Sequence, residues 1–336
     1  MLNSHRPGSI AGEITTNGGL RIVSPGGLDV TTSARIAAAR VSLSTAREAS
    51  GFVPVSHPSG GVVVTGTLRQ AGRIDAGEIQ LTAGVVEAAG VFNAADERGG
   101  RVTISGDLIA VLDSAQIDAS GESDRGGEIL IGGEYRGGAI DGQRNARRTF
   151  VAPGARLRAE AGAAGTGGRI TVWADEVTRF LGRVSARGGE KSGGGGFAEV
   201  SGKGVLDYRG LADLTAASGS TGTLLLDPTD LTITGAGSDT APTFGSFSGD
   251  MFAGGANNTS TISIGTGAGD TNATLLKQLA TANVVVTTTS AGAGTGNLIV
   301  NGAIVYIRRN WSSSISRPSK RRQSRESLVS RDSAPR

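Results

Sequence analysis

Three pairs of aspartates stand close together in the chain: Asp113 and Asp118, Asp207 and Asp213, Asp227 and Asp230. Paired carboxylates are the working parts of a polysaccharide-cleaving enzyme, one acting as acid and the other as base or nucleophile. The spacing argues against that use. In a strand only every second side chain shares a face, and Asp113/Asp118 and Asp207/Asp213 each straddle a predicted corner. Asp227-Pro228 reads as a turn, with proline fixing φ and the carboxylate accepting a backbone N–H. Gly193 to Gly196 invites comparison with a phosphate cradle, but no Gly-Lys-Ser/Thr follows and no helix is predicted after it, so the run reads as a corner loop. Trp173 and Tyr208 are rare aromatics that either stack on a sugar or cover a strand face, and the second role is the expected one. The sequence has no cysteine and two histidines, His5 and His57, both in loop-like stretches. Thiolate metal sites, cysteine nucleophiles and disulfides are therefore excluded, and a histidine-rich zinc site lacks material. No catalytic, metal or cofactor-binding residue is assigned, and no catalysis is expected.

The elements that carry these residues follow a repeat. Glycine supplies 55 of 336 residues, more than twice the usual ~7 %. Gly-Gly pairs open successive similar segments at Gly99, Gly126, Gly167 and Gly195, spaced 27, 41 and 28 residues apart. Each copy holds three short apolar runs. Val102 and Ile104 flank Thr103, and Ile170 and Val172 flank Thr171, the alternation of a strand with one buried face. Second and third runs follow at Leu108 to Leu112 and Ala115 to Ile117, and again at Val177 to Leu181 and Val184. The long interval implies an insertion within residues 132–148. Three short strands cannot bury a face alone, but stacked copies can. The pattern predicts an all-β solenoid, a parallel β-helix. A β-sandwich would place two-residue hairpin turns regularly, whereas Asn17-Gly18, Asp141-Gly142 and Asn301-Gly302 hold no fixed place in the repeat. Both ends of such a stack are open sheet edges, and no cap is recognisable in the sequence.

Residues 165–235 carry a family resemblance. Gly222-Thr223-Leu224-Leu225-Leu226-Asp227-Pro228 leads to Leu231-Thr232-Ile233, and is preceded by Glu199-Val200-Ser201-Gly202-Lys203 and Leu206-Asp207. This combination resembles filamentous haemagglutinin-type large exoproteins of Gram-negative bacteria, which leave the cell by the two-partner secretion route. The resemblance spans roughly 70–305 and is strongest over 165–305. It implies a right-handed parallel β-helix of the pectin-lyase-like kind. It also implies a full-length protein secreted to the cell surface, an outer-membrane two-partner transporter, and adhesion to host-cell or bacterial surface glycans and proteins. The family's signal peptide, secretion domain and long repeat array are not in this sequence, so the chain reads as an internal fragment. The alternatives are a polysaccharide-active β-helix enzyme and a non-functional product of a disrupted gene.

Four regions are expected: irregular β repeats over 1–70, repeats of about 27 residues over 71–235, a β segment with a short helix over 236–306, and a disordered basic tail over 307–336. The helix is predicted at 273–280, entered from Asn272, with strands resuming at Asn283 and Gly296. The tail holds nine basic residues against Glu326 and Asp332, a net +7, which leaves the body at −4 although the whole chain is +3. Nucleic-acid binding by the body therefore has no electrostatic support. No run of ~18 apolar residues predicts a transmembrane span.

Overall fold

A computed structural model describes residues 7–46, 66–235, 260–265, 274–289 and 294–304. The expected disordered tail and Asn272 lie outside the described residues.

The chain winds as a parallel β-helix. Each complete turn contributes a first strand, a second strand and a short third strand. Arg101–Val111 supplies the first two of one turn without a break and Gln116–Asp118 the third. The next turns run Glu128–Ile131, Arg148–Val151, Arg156–Arg158 and then Arg169–Ala174, Val177–Phe180, Arg183–Ser185. Every pairing between these strands is parallel and in register: Arg101 lies beside Glu128, Glu128 beside Arg169, and Arg169 beside Phe197. These offsets reproduce the 27, 41 and 28 residue spacing of the sequence repeat. Thr67–Gln70 and Arg73–Asp75 belong to one turn, so the stack runs through residue 70 without interruption.

Alternation decides what fills the interior. Val102, Ile129, Ile170 and Ala198 form one inward column, and Ile104, Ile131, Val172 and Val200 a second. The third strands add Ile36, Ile74, Phe92, Ile117, Leu157 and Val184, all fully buried. Each such side chain contributes roughly 1.5–3 kcal/mol by leaving water. Identical positions stack rung on rung, so side chains of similar size repeat along the axis.

The Gly-Gly pairs sit where the chain turns from third strand to first. A Cβ on Gly127 would stand 2.0 Å from the Gly100 carbonyl oxygen, and one on Gly168 2.1 Å from that of Gly127. These carbonyls are the acceptors that join the turns: the Glu128 N–H donates to Gly100 O and the Arg169 N–H to Gly127 O, both at 2.9 Å. Glycine is required because the next rung's backbone occupies the space of a side chain.

The last turns depart from sequential winding. Ser260–Ser263 inserts between Val205–Tyr208 and Leu231–Thr234, pairing Thr261 with both Asp207 and Thr232. Asn283–Val286 and Leu298–Val300 then stack on Thr223–Leu226 and Leu231–Thr234, as expected from the sequence. The helix is shorter than predicted, Leu275–Leu279, and its N-cap is Thr274, whose Oγ1 accepts the Lys277 N–H. It closes the edge of the third sheet, so one column of the stack does have a cap. Gln278 Oε1 accepts from Ala212 N at 2.9 Å and from the Tyr208 hydroxyl at 3.0 Å. Thr281 accepts the Leu214 N–H and donates its hydroxyl to Ala212 O.

Candidate functional site

The outward face of the first sheet carries the densest polar chemistry. Its first column reads Arg40, Glu78, Arg101, Glu128, Arg169, Phe197 up the axis. Successive opposite charges pair, Arg40 with Glu78 at 3.3 Å and Arg101 with Glu128 at 2.5 Å. Beside this column runs an axial groove of about 1080 Å³, floored by the stacked glycines and rimmed on its far side by Arg98 and Arg125.

The second outward column reads Thr103, Leu130, Thr171, Glu199, and all four are buried. The insertion helps bury them. Residues 132–147 leave the stack after Ile131 and return at Arg148, within the interval that the repeat spacing predicts. The neck is closed by the Ala146 N–H on Gly132 O, 2.7 Å. Arg147 binds Asp107 of the preceding turn at 2.7 Å and Arg148 binds Glu176 of the following turn at 2.9 Å. Beyond the neck, a short turn at Tyr135–Gly137 packs on the two strands Arg169–Ala174 and Phe197–Gly202. Tyr135 meets Phe197 edge-on at 5.8 Å, and the Arg169 guanidinium lies over both rings. Gly137 rests on Trp173, where a Cβ would come within 2.6 Å of the indole. Asn145 ties the loop down through Gly137 O and Asp175, and Asp175 also accepts the indole N–H.

Glu199 sits beneath this cover with no exposed surface. Both carboxylate oxygens accept the Arg136 N–H, at 3.2 and 3.1 Å. Arg136 presents that N–H from a left-handed conformation, φ 53°, which is uncommon for a residue with a side chain. The Ser201 hydroxyl donates to Glu199 and in turn accepts the Asp227 N–H. Burial pushes the Glu199 carboxyl up to about 7; the Arg136 and Ser201 hydrogen bonds pull the other way, the Asp227 charge adds to the rise and Arg169 opposes it. No cation forms an ion pair with Glu199 among the described residues.

The sequence candidates are dispersed. Asp113 accepts the Gly154 N–H across a corner, and Asp118 accepts the Ser120 N–H. Asp207 faces Arg209 at 2.8 Å and the buried Arg179 at 3.5 Å, while Asp213 holds Thr215. Burial and the neighbouring Arg209 charge bring the Arg179 guanidinium down to about 10 against the pull of Asp207. Asp227 accepts from the N–H and hydroxyl of Thr289, both 2.8 Å, so its carboxylate joins two neighbouring rungs where the sequence suggests a local turn. Asp230 accepts from Thr295 and Asn297; burial works to raise its carboxyl, and these N–H donors outweigh it and hold it below the usual range. Gly193 to Gly196 forms a corner between rungs. Tyr208 points inward, stacked on Phe180 at 5.6 Å, and Trp173 faces outward under the insertion. Trp173 covers a strand face, and Tyr208 is part of the core.

The third sheet presents a second polar face. Arg156 and Arg183 stand in register on adjacent rungs, both exposed, with no ion pair among the described residues. Among the described residues no group of three or more His, Cys, Asp or Glu gathers as a metal site would, and no helix is long and apolar enough to cross a membrane. No protein-family model matches the chain, and no curated protein matches it.

Proposed function

We propose that this chain is part of a secreted surface adhesin of the filamentous haemagglutinin type, exported by an outer-membrane two-partner transporter. Its role is structural: the β-helix displays repeated polar contacts to glycans or proteins of a host or bacterial surface, without catalysis. The observation that carries this reading is the exposed face of the third sheet. Eight short parallel strands repeat there at the ~4.8 Å rung spacing. Arg156 and Arg183 are like charges side by side, an arrangement that costs stability unless something anionic lies across it. Weak contacts repeated along a rigid axis add up by avidity. The glycine-floored groove offers a second lane for a linear glycan.

The test is binding of the purified full chain to immobilised acidic polysaccharide and to whole cells over a range of salt. The expected result is salt-sensitive retention that the Arg156→Ala/Arg183→Ala double variant weakens severalfold. Folded protein that binds neither glycans nor cells at low salt overturns the proposal. Turnover of an acidic polysaccharide would replace it with the enzymatic reading.

A further inference from the structure

We infer that residues 132–147 form a pH-sensitive cover over the outward face of the first sheet, latched by Glu199: protonation of Glu199 holds the cover down and ionisation releases it. This inference does not depend on what the surface binds.

Three observations meet at this place. The cover leaves and rejoins the stack at its neck, where Arg147 and Arg148 bridge to Asp107 and Glu176, and beyond the neck it rests on the strands through Tyr135, Gly137 and Asn145. Beyond the neck it is an added segment, since the adjacent turn joins Arg169–Ala174 to Val177–Phe180 through two residues. Its contact with Glu199 is a single backbone N–H, held out by a left-handed residue. Left-handed backbone with a side chain stores of order 1–3 kcal/mol, which favours release once the contact weakens. Under the cover lies a carboxyl that cannot ionise cheaply, because burial withholds water and no guanidinium among the described residues forms an ion pair with it.

Burial sets the sign, against the Arg136 and Ser201 hydrogen bonds that favour the anion, and the charged groups around Glu199 act in both directions. On its own sheet Arg169 favours the anion, but its guanidinium is engaged over Tyr135 and Phe197. From the loop after Thr223–Leu226, Asp227 disfavours the anion. On the cover, the Arg136 guanidinium lies over Tyr135 and Glu134 leans toward Arg101. With the cover down, burial raises the Glu199 carboxyl to about 7. With the cover lifted, water returns it to the ordinary value near ~4.3. Closure therefore takes up a proton between those values. The closed state gains its full advantage below the lower value and loses it as pH rises through the upper one. The opening equilibrium rises by up to about tenfold per pH unit across that window, a few hundredfold by order of magnitude, and is level above it.

Amide hydrogen exchange on the full chain reads this directly. Protection of Arg136, whose N–H is donated to Glu199, is measured from pH 5 to 8 after correction for intrinsic exchange, with the Ile170 core amide as reference. The expected result is a progressive loss of protection in the insertion up to pH 7, with Ile170 unchanged, and no pH dependence in Glu199→Gln. Gly137→Ala, which pushes the cover off Trp173, is expected to remove the protection at every pH. Protection in the insertion that is flat with pH in the unmodified protein, or that tracks Ile170, overturns the inference, whether or not the variants fold.

Discussion

At the scale of single residues, the rung spacing of this protein is set by atoms that are missing. Gly168 lies so close to the turn below that a methyl group would overlap the Gly127 carbonyl oxygen at 2.1 Å, against backbone that has no room to move. Gly168→Ala is expected to cost about 2–4 kcal/mol, near the top of the range for single substitutions. Gly12→Ala meets nothing within 4 Å and should change stability by less than ~0.5 kcal/mol. Urea denaturation of the two variants side by side tests the difference, and equal midpoints would refute the close-contact argument. A second case concerns charge. Arg179 is buried with Asp207 at 3.5 Å, and Asp207 also serves Arg209. Asp207→Ala leaves two guanidinium groups without that carboxylate, and a loss of about 3–5 kcal/mol is expected in the same assay. The glycine pairs were legible in the sequence as punctuation of the repeat. Glu199 was not. It occupies an outward strand position, where a charge is ordinarily solvated, and what buries it comes from a segment more than fifty residues earlier in the chain.

At the scale of elements, the helix and the insertion show how the regular stack is modified at little cost to its core. Periodicity indicated both, because a run such as Leu275-Leu276-Lys277-Gln278-Leu279 breaks the strand alternation and a 41-residue interval breaks the repeat. Their packing was beyond periodicity. Gln278 looks like an unremarkable helix residue, yet its side chain accepts two donors that the end of the third sheet would otherwise leave buried and unsatisfied. Gln278→Ala is expected to destabilise by about 2–4 kcal/mol through Tyr208 and the Ala212 N–H. Faster amide exchange at Ala212 than at Val184, one rung further in, locates the effect; unchanged exchange at Ala212 would show that the helix is not the cap. For the insertion, replacing residues 133–146 by a two-residue link should preserve the circular dichroism of the β-helix, since neighbouring turns close with such links. Trp173 emission should shift to the red as the indole meets water, in a background where Trp311 is replaced by Phe. A collapse of β structure would mean the insertion is required for folding.

At the scale of the whole molecule, the all-β solenoid, the three strands per turn and the turn boundaries were all present in the sequence, because each turn must bury the same face against the next. The interleaving of Ser260–Ser263 between two earlier strands was hidden, since repeat spacing records only sequential order. One-dimensional stacking has a thermodynamic consequence. A turn touches its two neighbours and little else, so energetic coupling between core positions should fade with the number of rungs between them. Ile129 and Ile170 are in-register neighbours, and Ile129→Ala and Ile170→Ala are expected to enlarge one shared cavity, with a coupling energy of about 0.5–3 kcal/mol in a double-mutant cycle. Ile79 and Ile170 occupy equivalent positions three rungs apart, ~14 Å by strand spacing, and their truncations should add within ~0.5 kcal/mol. Both pairs lie in one column, are equally buried and differ only in separation, so equal coupling in the two cycles would mean that the stack folds as a single block whose strain is shared along the axis.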